Sequence, residues 1–125
     1  MREHYLQIVK TLEQHYERTK TKVINDPNNM FNGGYADSYL IAETNSAGGI
    51  MHNFICIYCC RDSKYYQDPE VLKRIDGACD YILRLTNEDC TSNLLITDFH
   101  TAATFELLSI IRAYRIFLKY ANKTD

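Results

Sequence analysis

The side chains best suited to acid–base chemistry stand in the short run Asp98-Phe-His-Thr. His100 can accept or donate a proton near neutral pH, and a neighbouring carboxylate such as Asp98 can orient its ring. Thr101 or Asp98 could equally cap a helix that begins here, with His100 in its exposed first turn. The residue types favour capping as the simpler interpretation and leave acid–base catalysis as the functional alternative.

A second group of polar side chains lies in a long loop, predicted over residues 25–45. Loops of this length are uncommon in compact domains and are usually functional or disordered, and the tyrosines and aliphatic residues here favour an ordered loop. The side chains that could meet a sugar are Tyr35, Asp37, Tyr39, Glu43 and Asn45. Two carboxylates can hydrolyse a glycosidic bond, and a tyrosine can act as the base of an elimination. The alternative is a structured loop whose tyrosines only pack.

The run Cys56-Ile-Tyr-Cys-Cys contains a Cys-x-x-Cys pair. A zinc site would need a second pair of ligands, and His52 with the distant Cys79 or Cys90 gives no standard zinc spacing. Inside an apolar helix these cysteines are best interpreted as small buried residues. His52 lies one turn before Cys56 and could form a nucleophile dyad with it. We predict no metal site and no cofactor.

Hydrophobic periodicity predicts an all-α fold of about four helices in antiparallel hairpins. The helices are expected over residues 3–23, 47–61, 69–86 and 100–120, in a single domain that spans the whole chain. Ser46 is predicted to cap the second helix, and Asp68 to cap the third with Pro69 in its first turn. The last helix has the widest apolar face: Ala103, Leu107, Ile110, Ile111, Tyr114, Phe117 and Leu118. We therefore expect this last helix to be the central one and the first helix to be peripheral.

Composition narrows the classes of partner and compartment. The chain has 125 residues, 46% hydrophobic and 24% charged, with a net charge of −2, and it shows no basic stripe for nucleic acid or an anionic membrane. It begins without the apolar core of a signal peptide, and no apolar run approaches the roughly 20 residues that span a bilayer. We predict a cytoplasmic protein, and the five cysteines suit reduced thiols better than a disulfide framework.

Several segments, taken in order, resemble a known family. They are Gly33-Gly-Tyr, Thr44-Asn-Ser-Ala-Gly-Gly, Asp62-Ser-Lys-Tyr-Tyr-Gln-Asp-Pro-Glu-Val-Leu, Asp80-Tyr-Ile-Leu-Arg-Leu-Thr-Asn and Thr97-Asp-Phe-His-Thr. The sequence resembles the N-terminal portion of bacterial α/α-toroid proteins related to the heparinase II/III-like polysaccharide lyases and six-hairpin glycosidases. The resemblance covers nearly the whole chain, and its most informative piece is the connector that begins at Ser63.

The resemblance implies stacked helical hairpins whose loops at one end border a saccharide cleft. In lyases of this kind a tyrosine or histidine removes the proton next to a uronate carboxylate, while an asparagine or histidine neutralises that carboxylate. The implied catalytic positions are His100, Asp98 and Tyr39. The implied substrate-binding positions are Tyr35, Asp37, Asn45 and Thr101. No single residue here aligns with one of those catalytic roles, so lyase and glycosidase both stay open.

The chain departs from this family in length. Family members run several times longer, so 125 residues supply about two hairpins. The chain is then expected to be either a fragment, inactive as an enzyme by itself, or a small stand-alone bundle. Open hairpin faces predict self-association or contact with the rest of a toroid. Two functions follow: a carbohydrate-active module, or a non-enzymatic interaction or oligomerisation domain.

Overall fold

In the computed structural model the chain is described over residues 1–36, 44–88 and 99–122, with side chains described over 1–36, 47–88 and 108–122. The elements are α1 (Arg2–Thr19), a short 3-10 turn (Lys20–Lys22), α2 (Thr44–Cys59), α3 (Pro69–Leu85) and α4 (Phe99–Tyr120). Over these described ranges, the predicted all-α fold with four helices is confirmed. None of these helices, over the ranges just given, is long and apolar enough to cross a membrane.

The helix starts show how local chemistry sets the boundaries. The predicted cap of α3 is confirmed, because the Asp68 carboxylate accepts the Glu70 backbone N–H at 2.8 Å and Pro69 occupies the first turn. The predicted cap of α2 is wrong. The helix already begins at Thr44, so Ser46 lies inside its first turn. Thr44 and Asn45 are themselves short polar residues that suit a helix start.

The central helix is α2, because each of the other three α-helices packs against it. Its buried side chains point in several directions around the helix: Ala47, Met51, Phe54, Ile55, Ile57 and Tyr58. The prediction that α4 is central is therefore wrong. The physical reason is charge: α2 carries no Asp, Glu, Lys or Arg between Thr44 and Cys59 and can be surrounded, whereas α4 carries three cations in its second half.

Over its described side chains, from residue 108 onward, the last helix packs on α2 through one side. Ala113 and Ala121 are buried there, and the Phe117 ring stacks on Tyr58 with centroids 5.9 Å apart. The Gln67 side-chain amide donates to the Ala121 carbonyl at 3.1 Å, so α4 ends beside the end of α2. The opposite side of α4 faces solvent. Its exposed large apolar side chains are Leu108, Ile111, Tyr114 and Leu118.

Three aromatic rings hold α1, α2 and the segment that follows α1 together. The Phe54 ring meets Tyr16 edge-on at 4.9 Å and Tyr35 edge-on at 5.8 Å between centroids. Tyr35 also pairs with Val23 in an isolated antiparallel bridge. Such edge-to-face contacts stabilise a core beyond the area that they bury. The start of the predicted loop is therefore ordered and anchored in the core.

The connector between α2 and α3 is tied to α1 by one carboxylate. Glu13 accepts the Ser63 hydroxyl at 2.9 Å and the Lys64 backbone N–H at 2.8 Å. Ser63 is buried, so the connector turn is held directly against the middle of α1. This attachment fixes α1 beside the end of α2.

Candidate functional site

The side chains of most predicted saccharide-site residues fall outside what the structure describes. Four of them lie outside the described residues altogether: Asp37, Tyr39, Glu43 and Asp98. Asn45 lies in the first turn of α2, and His100 and Thr101 lie in the first turn of α4. The side chains of these last three are outside the described part of the chain, so their role at a site stays a prediction.

Tyr35, the predicted site residue with a described side chain, lies in the core. Only 2% of it is exposed, and its ring packs against Phe54. Burial raises the pKa of the Tyr35 hydroxyl, and the nearby Arg74 opposes that rise through a hydrogen bond and its charge. The position thus holds the segment after α1 in place and offers almost no surface to a ligand.

Arg74 organises the polar corner beside Tyr35. Its Nη1 donates to the Lys20 backbone carbonyl at 2.8 Å, and its Nη2 lies 3.0 Å from Glu70 Oε1. A guanidinium suits this place because its planar fork can reach several acceptors at once. The contacts join the end of α1 to the first turns of α3, so this cation has a structural role.

An open groove of about 650 Å³ runs between α1, the end of α2 and the end of α4. Aliphatic side chains and thiols make up much of its wall: Ile8, Leu12, Ile116, Cys56, Cys59 and Cys60. The Tyr5 hydroxyl lies 3.1 Å from Cys60 Sγ across it. Apolar walls with a few polar groups are typical of ligand pockets, although this groove is open to solvent along its length.

Two thiols of this groove, Cys56 and Cys59, are poorly suited to nucleophilic chemistry. Burial raises the pKa of Cys59 to about 11 and also raises the pKa of Cys56. Both stand near the C-terminal end of α2, where the partial negative charge of the helix disfavours a thiolate. Burial, together with Arg112, lowers the pKa of His52, so a His52–Cys56 pair is held neutral. Across the described side chains, no three His, Cys, Asp or Glu groups are arranged to hold a metal ion.

The raised thiol pKa values predict slow alkylation. At pH 7 a thiol of pKa about 11 is roughly a hundredfold less ionised than an ordinary cysteine. We expect Cys59 in the folded chain to react with iodoacetamide at least fiftyfold more slowly than in the denatured chain, with a rate that climbs steadily up to about pH 11. Mass spectrometry of the modified peptide measures each cysteine separately. Equal rates in folded and denatured chain at pH 7 would show that Cys59 reacts as an ordinary thiol and would contradict the prediction, and a faster rate in the folded chain would show an activated thiol.

The outward side of α4 carries two parallel rows of side chains. The apolar row is Ile111, Tyr114 and Leu118, exposed to 47%, 60% and 66%. The basic row is Arg112, Arg115 and Lys119, all exposed. Each row has the i, i+3, i+7 spacing that places side chains along one line of a helix. The basic row is displaced from the apolar row by one residue and lies alongside it.

This surface was missed by the sequence analysis, which assigned the apolar row to a continuous core face. A signal was present in the sequence. A row of cations one residue away from an apolar row indicates the solvent boundary of a helix, because Arg and Lys are almost never fully buried without a partner. The small Ala113 then marks the side that packs closely on α2.

Comparison of this chain with models of protein families, with curated proteins and with solved structures finds no match. The resemblance to heparinase-like toroid proteins therefore stays an expectation from the sequence. The function has to be argued from the described surfaces themselves.

Proposed function

We propose that this chain is an all-α interaction domain that binds a partner protein through the outward side of α4. The observation that supports the proposal most directly is the apolar row, Ile111, Tyr114 and Leu118, each about half exposed or more. Single exposed apolar residues are ordinary, but an aligned group of large ones indicates an interaction site.

The packing of α4 supports this proposal, because a different side of the helix already packs on α2. Ala113 is 0% exposed and Ala121 4%, so α4 approaches α2 closely there. The apolar row is therefore an additional surface, on the side that the core does not use. Covering three half-exposed side chains of this size would stabilise a complex by about 3 kcal/mol before the costs of association.

Site-specific photo-crosslinking tests the proposal. One variant carries p-benzoylphenylalanine in place of Tyr114, and a matched control carries it in place of Lys73, an exposed residue of α3. In the cells that produce the protein, we expect a discrete adduct from position 114 and none from position 73. Adding Ile111→Ser and Leu118→Ser to the first variant should abolish the adduct. Both serine substitutions are on the exposed row, so the melting temperature should stay within about 3 °C.

Two results would contradict the interaction domain. One is the absence of any adduct from position 114 in a folded, expressed chain. The other is the same set of adducts from positions 114 and 73, which indicates non-specific collision. An adduct that survives both serine substitutions would show that the apolar row does not contribute to binding.

A saccharide-binding module is the second candidate, favoured by the tyrosines of the groove. Tyr5, Tyr66 and Tyr120 line it beside Asp62, and tyrosines present amphipathic surfaces of the kind that sugars contact. Titration with uronate oligosaccharides should shift the NMR resonances of these tyrosines and of His100. An unchanged spectrum at millimolar ligand would leave the interaction domain as the better proposal.

A further inference from the structure

We infer that the partner bound by α4 is an amphipathic helix of another protein, one that carries an apolar row beside a row of Asp or Glu side chains. This inference rests on the proposed function and specifies the chemistry of the partner. It follows from the position and charge of the two rows on α4.

The geometry of the rows matches a helix. From Ile111 to Lys119 the two rows span about 12 Å, slightly more than two helical turns. Their common i, i+3, i+7 spacing makes a nearly straight seam, and the side chains of such a seam pack between those of another helix. The exposed Leu108 lies one turn before Arg112 and extends the contact toward the N-terminus of α4.

The charge of this surface has a single sign. Between residues 108 and 122 the charged side chains of the sequence are Arg112, Arg115 and Lys119, and all three are cations. The ion pairs formed among described residues lie elsewhere, on α1, on the connector that follows α2 and on α3. Complementary charge across an interface steers association and sets the register of the partner. A row of carboxylates is the complement of these three cations.

A second copy of this chain fits the surface poorly. In an antiparallel pair of α4 helices the same flank of each helix faces its equivalent, so the basic row would face another basic row. In a parallel pair the basic row would face the opposite flank, which holds Ile110 and Phe117 and is packed against the core. Like charges oppose the first arrangement, and α2 occupies the space that the second requires.

An anionic membrane would also attract the basic row, but the apolar row is small for that role. Interfacial helices bury a broad apolar face between lipid head groups, whereas Ile110, Ala113 and Phe117 on the inner side of α4 are already packed in the core. The net charge of −2 also opposes a general attraction to anionic lipid. The observations therefore favour a protein helix.

Two matched peptides test the inference. Both are helical and share one leucine row; one carries glutamates beside it and the other carries lysines. With the purified full chain, fluorescence anisotropy should show the glutamate peptide binding at least tenfold more tightly at low salt, with the difference shrinking as salt rises. The double variant Arg112→Glu/Arg115→Glu should reverse the preference, and Lys73→Glu on α3 should leave it unchanged.

Several outcomes would overturn the inference. Equal binding of both peptides would show an apolar surface without acidic preference. If the chain binds neither peptide but binds vesicles made of equal parts phosphatidylserine and phosphatidylcholine, its ligand is an anionic membrane. A stable dimer in light scattering would indicate self-association. If position 114 still gives a specific crosslink but the chain does not distinguish the two peptides, the proposed interaction domain is retained and only the inference of an acidic helical partner is overturned. If the crosslink is also absent, both fail.

Discussion

Replacing Phe54 with alanine should lower the free energy of unfolding by about 4 kcal/mol, the largest effect expected from removing a side chain here. Phe54 is 0% exposed on the central helix, and its ring contacts Tyr16 at 4.9 Å and Tyr35 at 5.8 Å between centroids. The substitution removes these contacts and leaves a cavity that helices from three directions cannot fill. Urea denaturation followed by circular dichroism at 222 nm measures the loss.

The matched control is Leu83→Ala on α3. Leu83 is large and apolar like Phe54, but 71% of it is exposed, so the free energy of unfolding should change by less than about 0.5 kcal/mol. The contrast between the two variants tests whether the burial of the side chain, and not its hydrophobicity alone, sets the loss of stability. If both substitutions cost the same, Phe54 does not lie at the junction of α1 and α2, and the arrangement of rings described above is incorrect.

The second large effect concerns two adjacent residues of α4, Ala113 and Tyr114, of which the sequence pattern placed only Tyr114 on the apolar face. Ala113→Glu should destabilise the chain by about 4 kcal/mol or more, because Ala113 is 0% exposed and a carboxylate there would be buried against α2. Tyr114→Glu should change the free energy of unfolding by less than about 1 kcal/mol, because 60% of Tyr114 is exposed. Thermal melting monitored by circular dichroism measures both variants.

The same pair separates stability from function. Tyr114→Glu should keep the fold and lose the binding of the glutamate peptide, because it places a carboxylate in the apolar row beside the incoming carboxylates. Ala113→Ser is the control for Ala113→Glu on the inner side of α4, since it adds a single oxygen and no charge at the buried position. Should Tyr114→Glu unfold the chain while Ala113→Glu does not, the two sides of α4 would be reversed and the proposed surface would be wrong.

The predicted saccharide site is the point at which residue types and spacing no longer suffice. The run Asp98-Phe-His-Thr places an acid and a histidine close together in sequence, but a site also needs groups from elsewhere in the fold, and their distances are tertiary quantities. Tyr35 illustrates the difficulty. In sequence it stands in a glycine-rich loop like a ligand-binding tyrosine, whereas the structure buries it against Phe54. An amphipathic ring is equally suited to a core and to a sugar, so residue type alone could not choose.

The sequence by itself determined the helices, because their apolar periodicity and caps are local. Pro69 and Asp68 begin α3 through bonds within a few residues, and the turn residues after Lys22 end the first helical segment. Only the tertiary structure decided which helix lies at the centre and which side of α4 is buried. Both α2 and α4 show a strong apolar periodicity, and periodicity alone does not rank them. The central helix is α2 because it has no charged side chain that must stay in water. The outward side of α4 therefore keeps an apolar row exposed beside its cations.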